Sequence, residues 1–132
     1  MSALPITSQF VAVFAIALIA LSVPVTLRRL TVGELVGDAV DEALRRRIRA
    51  QGNFIEYIPL GVIGMALVEA RQAPTSLVLV IGVMLAGGRL LHAVGMYRAH
   101  GPLRGFGMIL TYLALVSVAV RLGIDAWSGP AS

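Results

Sequence analysis

The chain has no cysteine, which excludes disulfides, thiolate metal sites and a cysteine nucleophile; any thiol chemistry must come from a ligand. It has no lysine either. Its eleven basic residues are all arginine, set against seven acids for a net charge of +4. Histidine is scarce: His92 and His100 stand without a second pair of ligand residues, so no metal site is expected. There is no G-x-G-x-x-G, no phosphate loop and no zinc spacing. Residues 1–9 carry no basic side chain, and the apolar run they open is too long for a cleaved signal peptide. That first run also lacks any acid, which argues against a small proton-coupled multidrug exporter, a class that keeps a membrane-buried glutamate in its first helix.

What the chain has in abundance is apolar surface. Hydrophobic residues make up 58% of 132, and the mean hydropathy is +0.86. This composition, with long apolar runs, defines an integral membrane protein. Four segments reach the roughly 20 residues that a crossing helix needs: about 6–27, 53–69, 76–97 and 105–122. The expected fold is an all-α, four-transmembrane-helix bundle forming a single domain over residues 1–132. The arginines cluster beside the spans, where membrane orientation explains them better than nucleic-acid binding. Arg28, Arg29, Arg45, Arg46, Arg47 and Arg49 lie between spans one and two, and Arg98 and Arg104 between spans three and four. Arg71 alone occupies the turn between spans two and three. The positive-inside rule then makes the first and third connections cytoplasmic and puts both termini outside. A bacterial inner membrane is the expected location, with Trp127 as an interfacial anchor.

The long first connection carries a helix-start signal at Gly37-Asp38, followed by Val40, Leu44 and Ile48 at helical spacing. Helix two is therefore expected to run from Asp38 to about Arg71, with Asp41 and Glu42 favourably placed in its first turn. Pro59 inside it leaves the carbonyl of Ile55 without a helical partner. Gly82, Ala86, Gly87 and Gly88 give span three a small-residue face suited to close helix packing. The most informative stretch is RAQGNFIEYIP, residues 49–59. It spaces Arg49, Asn53, Glu56 and Tyr57 at i, i+4, i+7 and i+8, a polar stripe entering an apolar span. Charge at membrane depth is costly unless it meets a partner or a wet cavity, so this stripe is the leading candidate site.

These residues resemble the MAPEG superfamily, the membrane-associated proteins in eicosanoid and glutathione metabolism. The family core R-x-x-x-N-x-x-E-Y-x-P is filled at every fixed position by Arg49, Asn53, Glu56, Tyr57 and Pro59. The string GRLLHAVGMY in span three is also similar, through Arg89 and His92. The resemblance implies a homotrimer with glutathione bound between subunits near the cytoplasmic side. It implies ligand contacts from Arg49, Gln51, Asn53, Glu56, Tyr57, Arg89 and His92, and Arg28, a cation at the cytoplasmic end of span one, joins them as a candidate contact for the ligand's carboxylates. Arg104 and Tyr97 are the catalytic candidates it implies, Arg104 as the cation that stabilises the thiolate. Counted from His92, one family pattern instead places Met96 and Gly105 at those two positions. The implied activity is transfer or peroxidase chemistry on lipophilic electrophiles, with the substrate arriving through the lipid. A non-catalytic glutathione- or lipid-binding membrane protein is the alternative.

Overall fold

The computed structural model describes residues 3–129 and consists of four helices: α1 (Pro5–Val32), α2 (Glu42–Ala70), α3 (Thr75–Tyr97) and α4 (Gly101–Trp127). All four are long and apolar enough to cross a membrane, and no strand occurs among the described residues. The expected all-helical, four-span architecture is therefore present. Successive helices are antiparallel. The end of α1, the start of α2, the end of α3 and the start of α4 thus share one end of the bundle, where eight of the eleven arginines lie.

Helix boundaries follow local chemistry. Helix α2 begins at Glu42 rather than near Asp38, because Asp41 is its cap: the Asp41 Oδ1 accepts from the Leu44 amide at 2.8 Å. Gly37, at φ 79°, lies in the left-handed region, which breaks the backbone before the cap. Of the three residues expected on one face, Leu44 is fully buried and Ile48 packs beside it. Val40, lying before the cap, is exposed. Helix α1 continues beyond the expected 27 to Val32 and ends on Gly33 in the left-handed conformation. Helix α4 starts at Gly101, four residues earlier than expected, since His100 Nδ1 accepts from the Leu103 amide and Pro102 suits the first turn. The amino terminus of α1 has no local side-chain cap. The carboxylate of Glu69, at the far end of α2, supplies it instead by accepting from the amides of Ile6 and Thr7, both at 2.8 Å. That clip ties the two helices together at the end opposite the arginines.

The core is apolar and runs along the middle of the bundle, built from Phe14, Phe54, Ile58, Met65, Ile81, Leu85, Val118 and their neighbours. Helices α3 and α4 make the closest approach. A Cβ on Gly88 would stand 2.7 Å from the Gly107 carbonyl oxygen, and one on Gly107 would stand 2.5 Å from that of Gly88. At Gly95 a Cβ would meet the Arg104 backbone nitrogen at 2.5 Å. Only glycine permits such backbone contact, as in other small-residue membrane interfaces. Gly82, expected to pack, does so against the ring of Phe10 on α1.

Candidate functional site

The arginine-rich end is held by ion pairs and backbone contacts. Arg28 grips Asp41 with two hydrogen bonds, Nε to Oδ1 at 3.1 Å and Nη2 to Oδ2 at 2.8 Å. This fork and the Leu44 amide hold the Asp41 carboxyl below the usual aspartate range. Arg29 donates to the carbonyls of Glu34 and Gly37, and Arg45 to that of Ala39, so these two chains shape the connection itself. Arg47 reaches the Pro24 carbonyl, and Gln51 donates to Ser22 Oγ at 2.8 Å, both on α1. Arg28 and Gln51, two of the expected ligand contacts, are thus engaged within the protomer in joining α1 to α2.

Arg49, Asn53 and Glu56 stay on the open face of α2. Together with Gly37, Asp38 and Gly52 they line a groove of about 380 Å³. Arg49 is well exposed and only loosely paired, 3.6 Å from Asp38. Glu56 is exposed and forms no ion pair among the described residues. Asn53 Oδ1 is buried with no hydrogen-bond partner, a costly arrangement that a ligand donor would relieve.

Tyr57 does not share this groove. Adjacent helical residues are about 100° apart, which swings Tyr57 from Glu56 toward the bundle interior. Its ring there meets Tyr112 edge-on at 6.0 Å and lies 5.2 Å from the Arg89 guanidinium carbon. Arg89 is only 4% exposed. Its Nη2 donates to Thr111 Oγ1 at 2.6 Å, its Nε to the same oxygen at 3.1 Å, and longer contacts reach Gly107 O, Asn53 O and Met108 Sδ. No carboxylate pairs with it among the described residues. The charge is instead dispersed over one hydroxyl, two carbonyls, a thioether and an aromatic face. His92 is buried one turn further along α3, where its backbone abuts Gly107.

The two catalytic candidates lie elsewhere. Arg104, in the first turn of α4, lines a second cleft with Arg45, Arg46, Arg49 and Met96. Tyr97, the last residue of α3, is exposed and lines neither cavity. The protomer therefore divides most of the expected constellation among three places, the α2 groove, the buried Arg89 cluster and the basic cleft, while Arg28 and Gln51 are held at the α1–α2 junction and Tyr97 lies in none of them. Arg49 is common to the groove and the cleft. Thr111 and Glu69 were not anticipated. A threonine four residues after a glycine within an apolar span was the available signal for the first, and a helix opening on Leu4-Pro5 without a capping side chain for the second.

Four membrane-length helices with a polar stripe on the second and a lone arginine buried on the third define a class of helical membrane protein. Residues 7–124 match the model of the MAPEG family, and the chain belongs to that family. It is 31% identical over 111 residues to the inner membrane protein YecN of Escherichia coli strain K12, covering 84% of this chain and 85% of the relative. The YecN protein of E. coli O6:H1 strain CFT073 matches to the same extent. No solved structure is a significant match.

Proposed function

We propose that this protein is a glutathione-dependent transferase of the bacterial inner membrane acting on lipophilic electrophiles. The observation that carries this reading is the α2 groove, which Arg49, Glu56 and Asn53 line together, the Asn53 Oδ1 lying buried beside it without a partner. Glutathione offers what those groups lack: carboxylates for a guanidinium, an ammonium for a carboxylate, and amide N–H donors for an orphan oxygen. Arginine beside the bound thiol favours its thiolate. The thiolate then attacks the electrophilic carbon, forming a C–S bond as the leaving group departs with its electron pair.

An exposed ionic stripe at membrane depth also calls for cover. Packing α2 against neighbouring protomers would bury it away from lipid, in keeping with a homotrimer whose ligand sits between subunits near the arginine-rich, cytoplasmic end. Inner-membrane placement is supported by the E. coli relatives' name together with the four spans. The test is calorimetric titration of the purified protein with glutathione, followed by turnover of a generic aryl halide electrophile. Saturable binding with conjugate formation is expected. Binding without conjugation would make the protein a glutathione-binding membrane protein instead, and absence of binding would remove glutathione altogether.

A further inference from the structure

Helices α1 and α3 run in the same direction and touch where the Phe10 ring packs on Gly82. Nearer the arginine-rich end they leave between them a cavity of about 380 Å³, within the roughly 300–1,000 Å³ of small-molecule pockets. Small side chains leave this room, Ala17 and Ala20 on α1 and Ala86 and Ala93 on α3. Val13 and Leu90 also line the cavity and are exposed, which opens it toward the bilayer. It shares no lining residue with the α2 groove or the basic cleft.

The chemistry of the walls selects an occupant. Pro24 lies inside α1 and has no N–H, so the carbonyl of Ala20, a wall residue, loses its helical donor. The nearby side-chain donors serve other oxygens: Thr26 reaches the Ser22 carbonyl, and Arg47 that of Pro24. A bare carbonyl in lipid is costly, and a hydroxyl would satisfy it. Phe14 and Phe54, both buried, line the cavity and meet edge-on at 6.1 Å. Arg89 lines it too, but its guanidinium is committed to Thr111. It therefore offers the cavity a positive field rather than a free fork for a carboxylate. Aromatic edges and a cation both attract the face of an electron-rich ring.

We propose that this cavity binds a lipophilic phenol. The hydroxyl donates to the Ala20 carbonyl, the ring lies among Phe14, Phe54 and Arg89, and an alkyl tail leaves past Val13 and Leu90 into the bilayer. The site needs no glutathione and is independent of the reading of the α2 groove.

The test places the full chain in phosphatidylcholine nanodiscs with a diazirine-bearing alkylphenol and maps the photolabel by peptide mass spectrometry. Saturable labelling of the cavity segments of α1 and α3 is expected. Para-nonylphenol should displace it at a roughly fivefold lower concentration than its methyl ether, which lacks the donor. Pro24→Ala returns an N–H to the Ala20 carbonyl and keeps its own carbonyl for Arg47, so phenol and ether should then compete alike. Ala93→Leu fills the cavity and should abolish saturable labelling, with folding checked by circular dichroism. Equal competition by phenol and ether on the wild type would overturn the phenol assignment and leave a slot for hydrocarbon alone. A preference that survives in Pro24→Ala would overturn the role of the Ala20 carbonyl. Stronger displacement by nonanoic acid would overturn the proposal in favour of a carboxylate at Arg89. Labelling spread over the lipid face of α4 and unchanged in Ala93→Leu would mean bulk partition and overturn the site itself.

Discussion

The Arg89 guanidinium and the Thr111 hydroxyl are joined by two hydrogen bonds, at 2.6 and 3.1 Å, across the tightest helix contact in the protein. The hydroxyl in turn donates to the Gly107 carbonyl at 2.9 Å. One side chain thus accepts from a buried cation while passing a bond back to its own helix. The absence of Cβ atoms at Gly88 and Gly107 brings the two backbones close enough for this. Arg89 therefore holds α3 to α4, whatever else it does when ligand is present.

Thr111→Val should destabilise the protein, because it keeps the side-chain shape and removes the main acceptor of a buried charge. Hydrogen bonds to charged groups are worth about 1.5–3 kcal/mol. The thermal midpoint in detergent should drop, and Thr111→Ser should restore it. Equal midpoints for the valine variant and the wild type would mean that the carbonyls of Gly107 and Asn53 suffice for Arg89.

Gly107→Val should be worse, and for a different reason. Its Cβ would meet the backbone of Gly88 and His92, atoms that cannot turn aside, and overpacking of this kind costs about 1–3 kcal/mol or more. Gly105→Ala, where a Cβ meets nothing within 4 Å, should be neutral. Comparing the two variants' unfolding midpoints and monodispersity in detergent checks whether the α3–α4 contact is as close as described.

The Asp41–Arg28 fork gives the first connection a defined pH response. The Asp41 carboxyl titrates below its usual value, so its contribution is fully present above the ordinary aspartate pKa of about 3.9. It is lost as pH falls through the lowered value. Amide protection of the first turn of α2 should thus hold at neutral pH and fall only in strong acid. In Asp41→Asn that protection should already be reduced at neutral pH and should lose its acid dependence. Hydrogen exchange of Leu44 and Arg45 reads this directly.

The number of helices, their approximate spans and the arginine-rich end were all legible in the sequence, because long apolar runs and arginine placement report membrane crossing without tertiary information. The start of α2 was not. Asp38 read as the helix start and Asp41 as an acid within the first turn, whereas Asp41 is the cap and is gripped by Arg28, thirteen residues upstream, which no local pattern reveals. The polar stripe was legible as spacing. Its division, with Tyr57 turned inward to Arg89 while Glu56 stays outside, depended on where α4 packs. Arg89 could be found as an isolated charge in an apolar span, but its threonine partner is 22 residues away. The placement of Arg104 in a cleft with Arg45 and Arg46 likewise depends on the turn between α3 and α4.

The glutathione reading makes its sharpest demand on Arg49 and Glu56. Both are exposed in the protomer and neither holds the helices together, so Arg49→Ala and Glu56→Gln should leave helical content and folding intact. Each removes one charge-assisted contact to the ligand. At about 1.5–3 kcal/mol for such a bond, the glutathione dissociation constant should rise roughly ten- to a hundredfold. The two variants should differ in what they discriminate. Glu56→Gln should narrow the advantage of glutathione over an analogue lacking the free amine, because it removes the partner of the ammonium. Arg49→Ala should narrow the advantage over an analogue with an amidated carboxylate. Calorimetry with the three ligands on wild type and both variants separates these effects. Unchanged affinity in both variants would place the ligand away from the α2 stripe, and equal losses toward all three ligands would mean that the substitutions disturb the groove rather than its contacts.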